Sequence, residues 1–223
     1  MRILSITLLA QAAAFLSLLA LHASEPEPPA PKRIKLFDGQ TFDGWEGDVK
    51  ATWRIEEGAI VAGSLEAVVP RNEFLAATRE FADFDLQLQY KLIGTEGFVN
   101  GGVQFRTERI PDDHEVRGYQ ADFGAGYDGA LYDESRRNRV LSQPPAELVK
   151  KLAKPNDWNV YRIRCEGPHI QLWLNGMKTV DYVEDDDAIR RDGIIALQIH
   201  GDAKAVVSYR EIEIAVLNTS DNK

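Results

Sequence analysis

A hydrophobic period of two is what most constrains this chain. Phe84, Leu86, Leu88, Tyr90 and Leu92 alternate with Asp85, Gln87, Gln89 and Lys91. That pattern belongs to a strand with one face in a core and the other in water. It recurs. Val103 and Phe105 alternate with Gln104 and Arg106, Tyr119, Ala121 and Phe123 with Gln120 and Asp122, and Tyr161, Ile163 and Cys165 with Arg162 and Arg164. Glu56-Glu57-Gly58 separates two short apolar runs, and Asn175-Gly176 separates His169–Leu174 from Lys178–Val183; both are hairpin signatures. Gly193 to His200 and Val206 to Val216 add two more strands. Only Ala146 to Ala153, after Pro144-Pro145, reads as a helix. About ten to twelve short strands with almost no helix predict an all-β jelly-roll sandwich of two antiparallel sheets.

The 223-residue chain divides by composition. Met1-Arg2 and the uncharged run Ile3 to Leu21, ending at Leu21-His22-Ala23, predict a secretory signal peptide over residues 1–23. The alternative is an uncleaved membrane anchor. Residues 24–33 read as a Pro/Glu-rich spacer, 34–217 as one folded domain and 218–223 as a polar tail. With 35 acidic against 26 basic side chains the chain has no footprint for nucleic acid. Its single cysteine, Cys165, rules out an intrachain disulfide. There is no GxSxG or P-loop, and Gly124 to Gly129, which spells GxGxxG after a strand, is not followed by a helix pattern, which leaves serine hydrolase, NTPase and dinucleotide chemistry unsupported.

The candidate chemistry lies on polar strand faces. Gln104 with Arg106, Gln120 with Asp122, and Gln198 with His200 are each two residues apart and so share a face. Side by side, such pairs would form a patch of amide, guanidinium, carboxylate and imidazole groups suited to a ligand rich in hydroxyls. Tyr127 to Arg137 reads as a charged loop over that face, with Tyr132, Asp133 and Glu134 as ligand contacts. Trp45 is the tryptophan expected to be exposed and to stack on sugar; Trp53, Trp158 and Trp173 are expected in the core. Asp112-Asp113-His114-Glu115 is a weak metal motif, and Glu184-Asp185-Asp186-Asp187 reads as a solvated turn.

Five segments in order carry a resemblance: Leu36 to Gln40 with Gly44-Trp45; Asn100 to Arg106; Gly118 to Asp122 with Gly129 to Tyr132; Asp157 to Ile163 with Trp173 to Gly176; and Gly193 to Gly201. Together they resemble the secreted bacterial 3-keto-disaccharide hydrolase domain family over nearly all of residues 34–217. One departure is Asp128, which stands where relatives often carry an aromatic residue. The resemblance implies a concanavalin A-like jelly roll acting on 3-keto-glycosides. A ring ketone acidifies the proton on the neighbouring carbon. Its removal gives an enediolate, the glycosidic oxygen leaves by β-elimination, and water adds to the resulting glycal. Such a route needs a base and an enolate stabiliser rather than paired glycosidase carboxylates. The resemblance makes His200 the base, Arg106 the enolate stabiliser, and Gln104, Gln120 and Gln198 the groups that orient hydroxyls. Asp122 either orients His200 or joins it in holding a divalent metal ion. The competing expectations are a non-catalytic, lectin-like carbohydrate-binding module and an envelope interaction protein held by an uncleaved N-terminus.

Overall fold

The computed structural model describes residues 32–217; the leader, most of the spacer and the tail expected from the sequence lie outside them. In chain order the elements are β1 (Ile34–Lys35), β2 (Trp45–Glu46), β3 (Trp53–Glu56), β4 (Ala59–Ser64), β5 (Glu73–Phe81), β6 (Phe84–Gly97), β7 (Asn100–Arg109) and β8 (Val116–Gly124). They continue with β9 (Ala130–Glu134), β10 (Arg139–Ser142), α1 (Ala146–Leu152), β11 (Asn159–Glu166), β12 (His169–Leu174), β13 (Met177–Val183), β14 (Gly193–Ile199) and β15 (Ala203–Val216). One sheet runs β13-β12-β11-β6-β15-β4-β3, with β1 also paired to β15; the other runs β10-β9-β8-β7-β14-β5-β2. Neighbouring strands pair antiparallel in both. The expected all-β sandwich of two antiparallel sheets, with one short helix, is what forms.

The local chemistry explains the connections. Glu57 and Gly58 have φ of 50° and 75°, and Asn175 and Gly176 have φ of 49° and 85°. Both pairs supply the two left-handed residues that a tight hairpin needs. The inward faces of the long strands then meet. Leu86, Leu88, Tyr90, Tyr161, Ile163 and Tyr209 pack against Phe105, Tyr119, Ala121, Phe123, Leu197 and Ile199 in one buried cluster. Tyr90 of one sheet stacks on Phe123 of the other with ring centroids 3.8 Å apart. Each large apolar side chain buried this way contributes about 1.5–3 kcal/mol.

Three tryptophans depart from expectation. Trp45 is buried, and its indole Nε1 donates to the Leu36 carbonyl at 2.7 Å, so it is no stacking platform. Trp173 alternates with the buried Ile170, Leu172 and Leu174, which puts it on the outer face with the Arg162 guanidinium 4.6 Å above its ring. Trp158 precedes β11 and packs against the cations of Arg210 and Lys91, at 3.9 and 5.0 Å from its ring, rather than in the core. Trp53, as expected, and Trp45, against expectation, are the two tryptophans in the core cluster.

The connection between β7 and β8 folds back across the second sheet's outer face. Arg109 donates to the Glu46 carbonyl at 3.0 Å, and Asn72 donates to Glu115 Oε1 at 3.0 Å. Val116 joins Phe74, Ala76 and Ala196 in a small apolar cluster on that face. This cover buries both faces of β5 at Phe74, Leu75, Ala76 and Ala77, which erases the alternation that would have revealed the strand.

Candidate carbohydrate site

Beside that cover, the outer face of β7, β8 and β9 opens into a recess of about 120 Å³ lined by Phe98, Asn100, Gln120, Asp122, Tyr127, Tyr132, Glu134 and His200. Strand register assembles it. Gln120 lies opposite Gln104 on β7 and Tyr132 on β9, and Asp122 lies opposite Gly102 and Ala130. The segment expected to be a loop contains β9, so Tyr132 and Glu134 turn toward the recess and Asp133 turns away from it.

Gly102 makes the packing work. A Cβ there would lie 2.4 Å from Gln120 Cδ, so only glycine lets the Gln120 side chain cross β7 and accept from Gln104 Nε2 at 2.5 Å. Asn100 donates to Asp122 Oδ1 at 2.8 Å and to the Gly124 carbonyl at 3.3 Å. With both donors committed, the Asn100 amide oxygen is left to face a ligand. Gln198 is fully buried beside Gly102 on β14, and neither atom of its amide has a partner among the described residues. His200 is half-buried. Its Nδ1 donates to the Gly201 carbonyl at 2.8 Å, a bond that fixes the tautomer and leaves Nε2 as the acceptor in the neutral ring. Phe98, 39% exposed, sits 4.7 Å from the imidazole and 6.1 Å from Tyr127, centroid to centroid, forming an aromatic rim.

Burial sets the protonation of the two carboxyls. Asp122 is pushed up to about 8 by desolvation, which outweighs the hydrogen bonds it receives from Asn100 and Gln120. Glu134 is pushed up to about 7 by desolvation and by the negative charge of Glu115. Near neutral pH Asp122 therefore keeps its proton and Glu134 keeps its own in about half of the molecules, where ordinary carboxylates are ionised.

Gln104 and Gln198 are fully buried and do not line the recess, and three further nominated residues lie away from it. Arg106 has φ of 45° at a bulge that shifts the β7–β8 register between Phe105 and Glu108. Its side chain leaves the Gln104 face and is buried at the sandwich end, donating to the Ala82 carbonyl at 2.9 Å, the Gly167 carbonyl at 2.7 Å and Asp83 Oδ1 at 2.9 Å. Asp133 is buried in ion pairs with Arg136 and Arg137. Trp45 is committed to Leu36, as described above. Glu184 is likewise no solvated turn residue. It is buried, accepts from Arg137 Nη2 at 2.7 Å and from Tyr119 Oη at 2.6 Å, and lies well down at about 2 because these bonds overcome its desolvation. Conversely, Phe98 and Tyr127 line the recess without having been singled out as ligand contacts. A lone aromatic in the Gly97-Phe98-Val99 turn between two strands was the available signal.

Among the described residues no three His, Cys, Asp or Glu side chains converge as a metal cage requires. Asp122 and His200 are the two donors nominated for an ion, and Asp122 already spends one oxygen on Asn100. The donor set does not fit a divalent metal site, and the chemistry below runs through protein groups.

The sequence profile of the 3-keto-alpha-glucoside-1,2-lyase-like domain matches residues 32–215, and the chain belongs to that family. No curated protein matches it. Among solved structures it is similar to a provisionally assigned glycosyl hydrolase from Parabacteroides distasonis, at 18% identity and a TM-score of 0.62 over 83% of this chain and 94% of that one. It is also similar to the carbohydrate-binding module CBM66 of Bacillus subtilis, at 16% identity and a TM-score of 0.59 over 77% of this chain and 95% of that one. Bacillus licheniformis beta-glucanase shares the fold at 7% identity and a TM-score of 0.59 over 86% of this chain and 100% of that one. At these identities the likenesses establish the fold: a concanavalin A-like sandwich of the kind used by glycosyl hydrolases and carbohydrate-binding modules.

Proposed function

We propose that this chain, exported and freed of residues 1–23, cleaves 3-keto-glycosides by elimination and hydration. The observation that carries the reading is the joining, in one small recess, of a histidine whose Nε2 is the acceptor in the neutral ring and two carboxyls that burial raises well above the usual carboxylate range. His200 Nε2 takes the proton from the carbon next to the ketone, and that C–H electron pair forms the enediolate. As the enediolate collapses, the C1–O bond breaks, and Glu134 gives its proton to the departing glycosidic oxygen. Water then adds across the glycal double bond: Glu134 takes a proton from the water as its hydroxyl bonds to C1, and the His200 imidazolium returns a proton to C2, which restores both groups.

Arg106 stands elsewhere, so the enolate oxygen meets neutral donors. Asp122, protonated at pH 7 by its burial, is the strongest of them, because a buried carboxylic acid kept neutral can donate to a developing oxyanion. Tyr132, Tyr127 and the Asn100 amide oxygen are left for ligand hydroxyls.

The test is aglycone release from 3-keto-trehalose and from a 3-keto nitrophenyl glucoside. His200→Ala is expected to slow both by at least about 100-fold, the usual cost of losing a general base. Glu134→Gln should slow the sugar leaving group by a similar factor and spare nitrophenolate, which departs without a proton. With the wild type, turnover of the sugar substrate should fall as pH rises through about 7, where Glu134 ionises. No release from either keto-sugar, with binding retained, would replace this reading with that of a carbohydrate-binding module.

A further inference from the structure

A second recess, of about 240 Å³, lies behind the first. The same two turns wall both. Phe98 and Tyr127 line the first, while their neighbours Val99 and Asp128 line the second, together with Tyr90, Leu92, Lys154 and Asn156. The two sides differ in chemistry. The second has an aliphatic ledge of Leu92 and Val99 under a single carboxyl, with a cation and an amide at its outer edge.

Two of its polar groups are underused. Tyr90 is buried, and its hydroxyl has no partner among the described residues. A buried hydroxyl without a partner costs free energy unless something supplies the bond. Asp128 accepts only a long 3.2 Å bond, from the Gly124 amide, and burial raises its carboxyl above the usual range. Glycines let the two wall side chains pack closely against the backbone. A Cβ on Gly94 would lie 2.3 Å from Val99 Cγ1, and one on Gly124 would lie 2.6 Å from Leu92 Cδ2.

We propose that this recess is a second saccharide subsite, taking one neutral hexopyranosyl unit with its C–H face on Leu92 and Val99 and its hydroxyls on Asp128, Tyr90 and Asn156. An apolar ledge opposite a few hydrogen-bonding groups is what a pyranose needs, since one ring carries both kinds of surface. The subsite involves none of the groups assigned to proton transfer and does not depend on the ligand's being oxidised.

The experiment is a titration of the purified chain with methyl α-glucoside and with trehalose, followed by the methyl NMR signals of Leu92 and Val99. Saturable shifts at these methyls are expected. Asp128→Ala should weaken the binding that they report at least about tenfold, the loss that goes with removing a hydrogen-bonding carboxyl. Tyr90→Phe, which keeps the stack on Phe123, should weaken it severalfold. His200→Ala should leave it unchanged. Absence of shifts at saturating sugar, or equal affinity in Asp128→Ala with its spectrum otherwise native, overturns the proposal. Keto-sugar turnover would be unaffected by that failure, so the subsite and the proposed reaction stand or fall separately.

Discussion

At the scale of single residues, Asp122 shows how a strand position becomes chemistry. Its side chain is on the outer face of β8, where a carboxylate would ordinarily be solvated, yet it is buried and keeps its proton to about pH 8. The unfolded chain loses that proton near 3.8, so the neutral native form is fully favoured only below that value. As pH rises from about 4 to about 8, the unfolded state is ionised and the native state is not. Stability should then fall by up to about 1.4 kcal/mol per pH unit from this one group, levelling off above 8. Asp122→Asn keeps an acceptor for Asn100 and removes the titration. Its urea midpoint should decline more gently across pH 4–8 than that of the wild type, and parallel declines would mean that Asp122 is solvated and ionised in the native state. Gly102 is the companion case. Gly102→Ala pushes its new methyl into Gln120, breaking the bond with Gln104, and should cost about 1–3 kcal/mol in urea unfolding while weakening sugar binding.

At the scale of elements, what decides the site is a bulge and a fold-back. Strict alternation puts Gln104 and Arg106 on one face, and the left-handed turn at Arg106 breaks that rule and sends its guanidinium to the carbonyls of Ala82 and Gly167. Arg106→Ala should therefore lower stability by about 3 kcal/mol, the cost of stranding Asp83 and two carbonyls. Turnover per folded molecule should stay within about threefold of wild type; a hundredfold loss in a fully folded variant would return Arg106 to the reaction. The same contrast explains what was legible beforehand. β6, β7, β8, β11 and β12 could be read because one face of each meets the core and the other is wet, and the hairpin turns because few residues accept two positive φ values in succession. β5 was hidden by Val116 lying over it, and β9 by an acid, Asp133, whose charge is met by the arginines of the next turn rather than by water. Of the candidate site, Gln120, Asp122 and His200 could be named from the sequence because period-two spacing fixes which side chains share a face, whereas Tyr132 and Glu134 were named as residues of a charged loop and the strand that aims them was not read. Phe98 and Tyr127 could not, since turn geometry rather than periodicity aims them.

At the scale of the whole molecule, cohesion rests on two sheets pressed face to face, and the lone thiol is placed to report on it. Cys165 is buried on β11, paired to β12 on one side and β6 on the other, so strands flank it in its sheet and the second sheet lies across the core. Desolvation pushes its thiol up to about 12, which leaves almost no thiolate at neutral pH even if a reagent could reach it. A disulfide reagent should therefore modify Cys165 only from molecules in which the sandwich has opened. If the two sheets separate as one cooperative unit, the labelling rate will climb with urea, and its free-energy slope will equal the equilibrium m-value. A smaller slope would mean that the β11–β12–β13 meander peels away as a subunit of the fold while β7, β8 and β9, which carry the site, stay assembled. The full slope would tie the integrity of the site to that of the entire core, and variants that loosen any part of the sandwich would then lose sugar binding and core protection together.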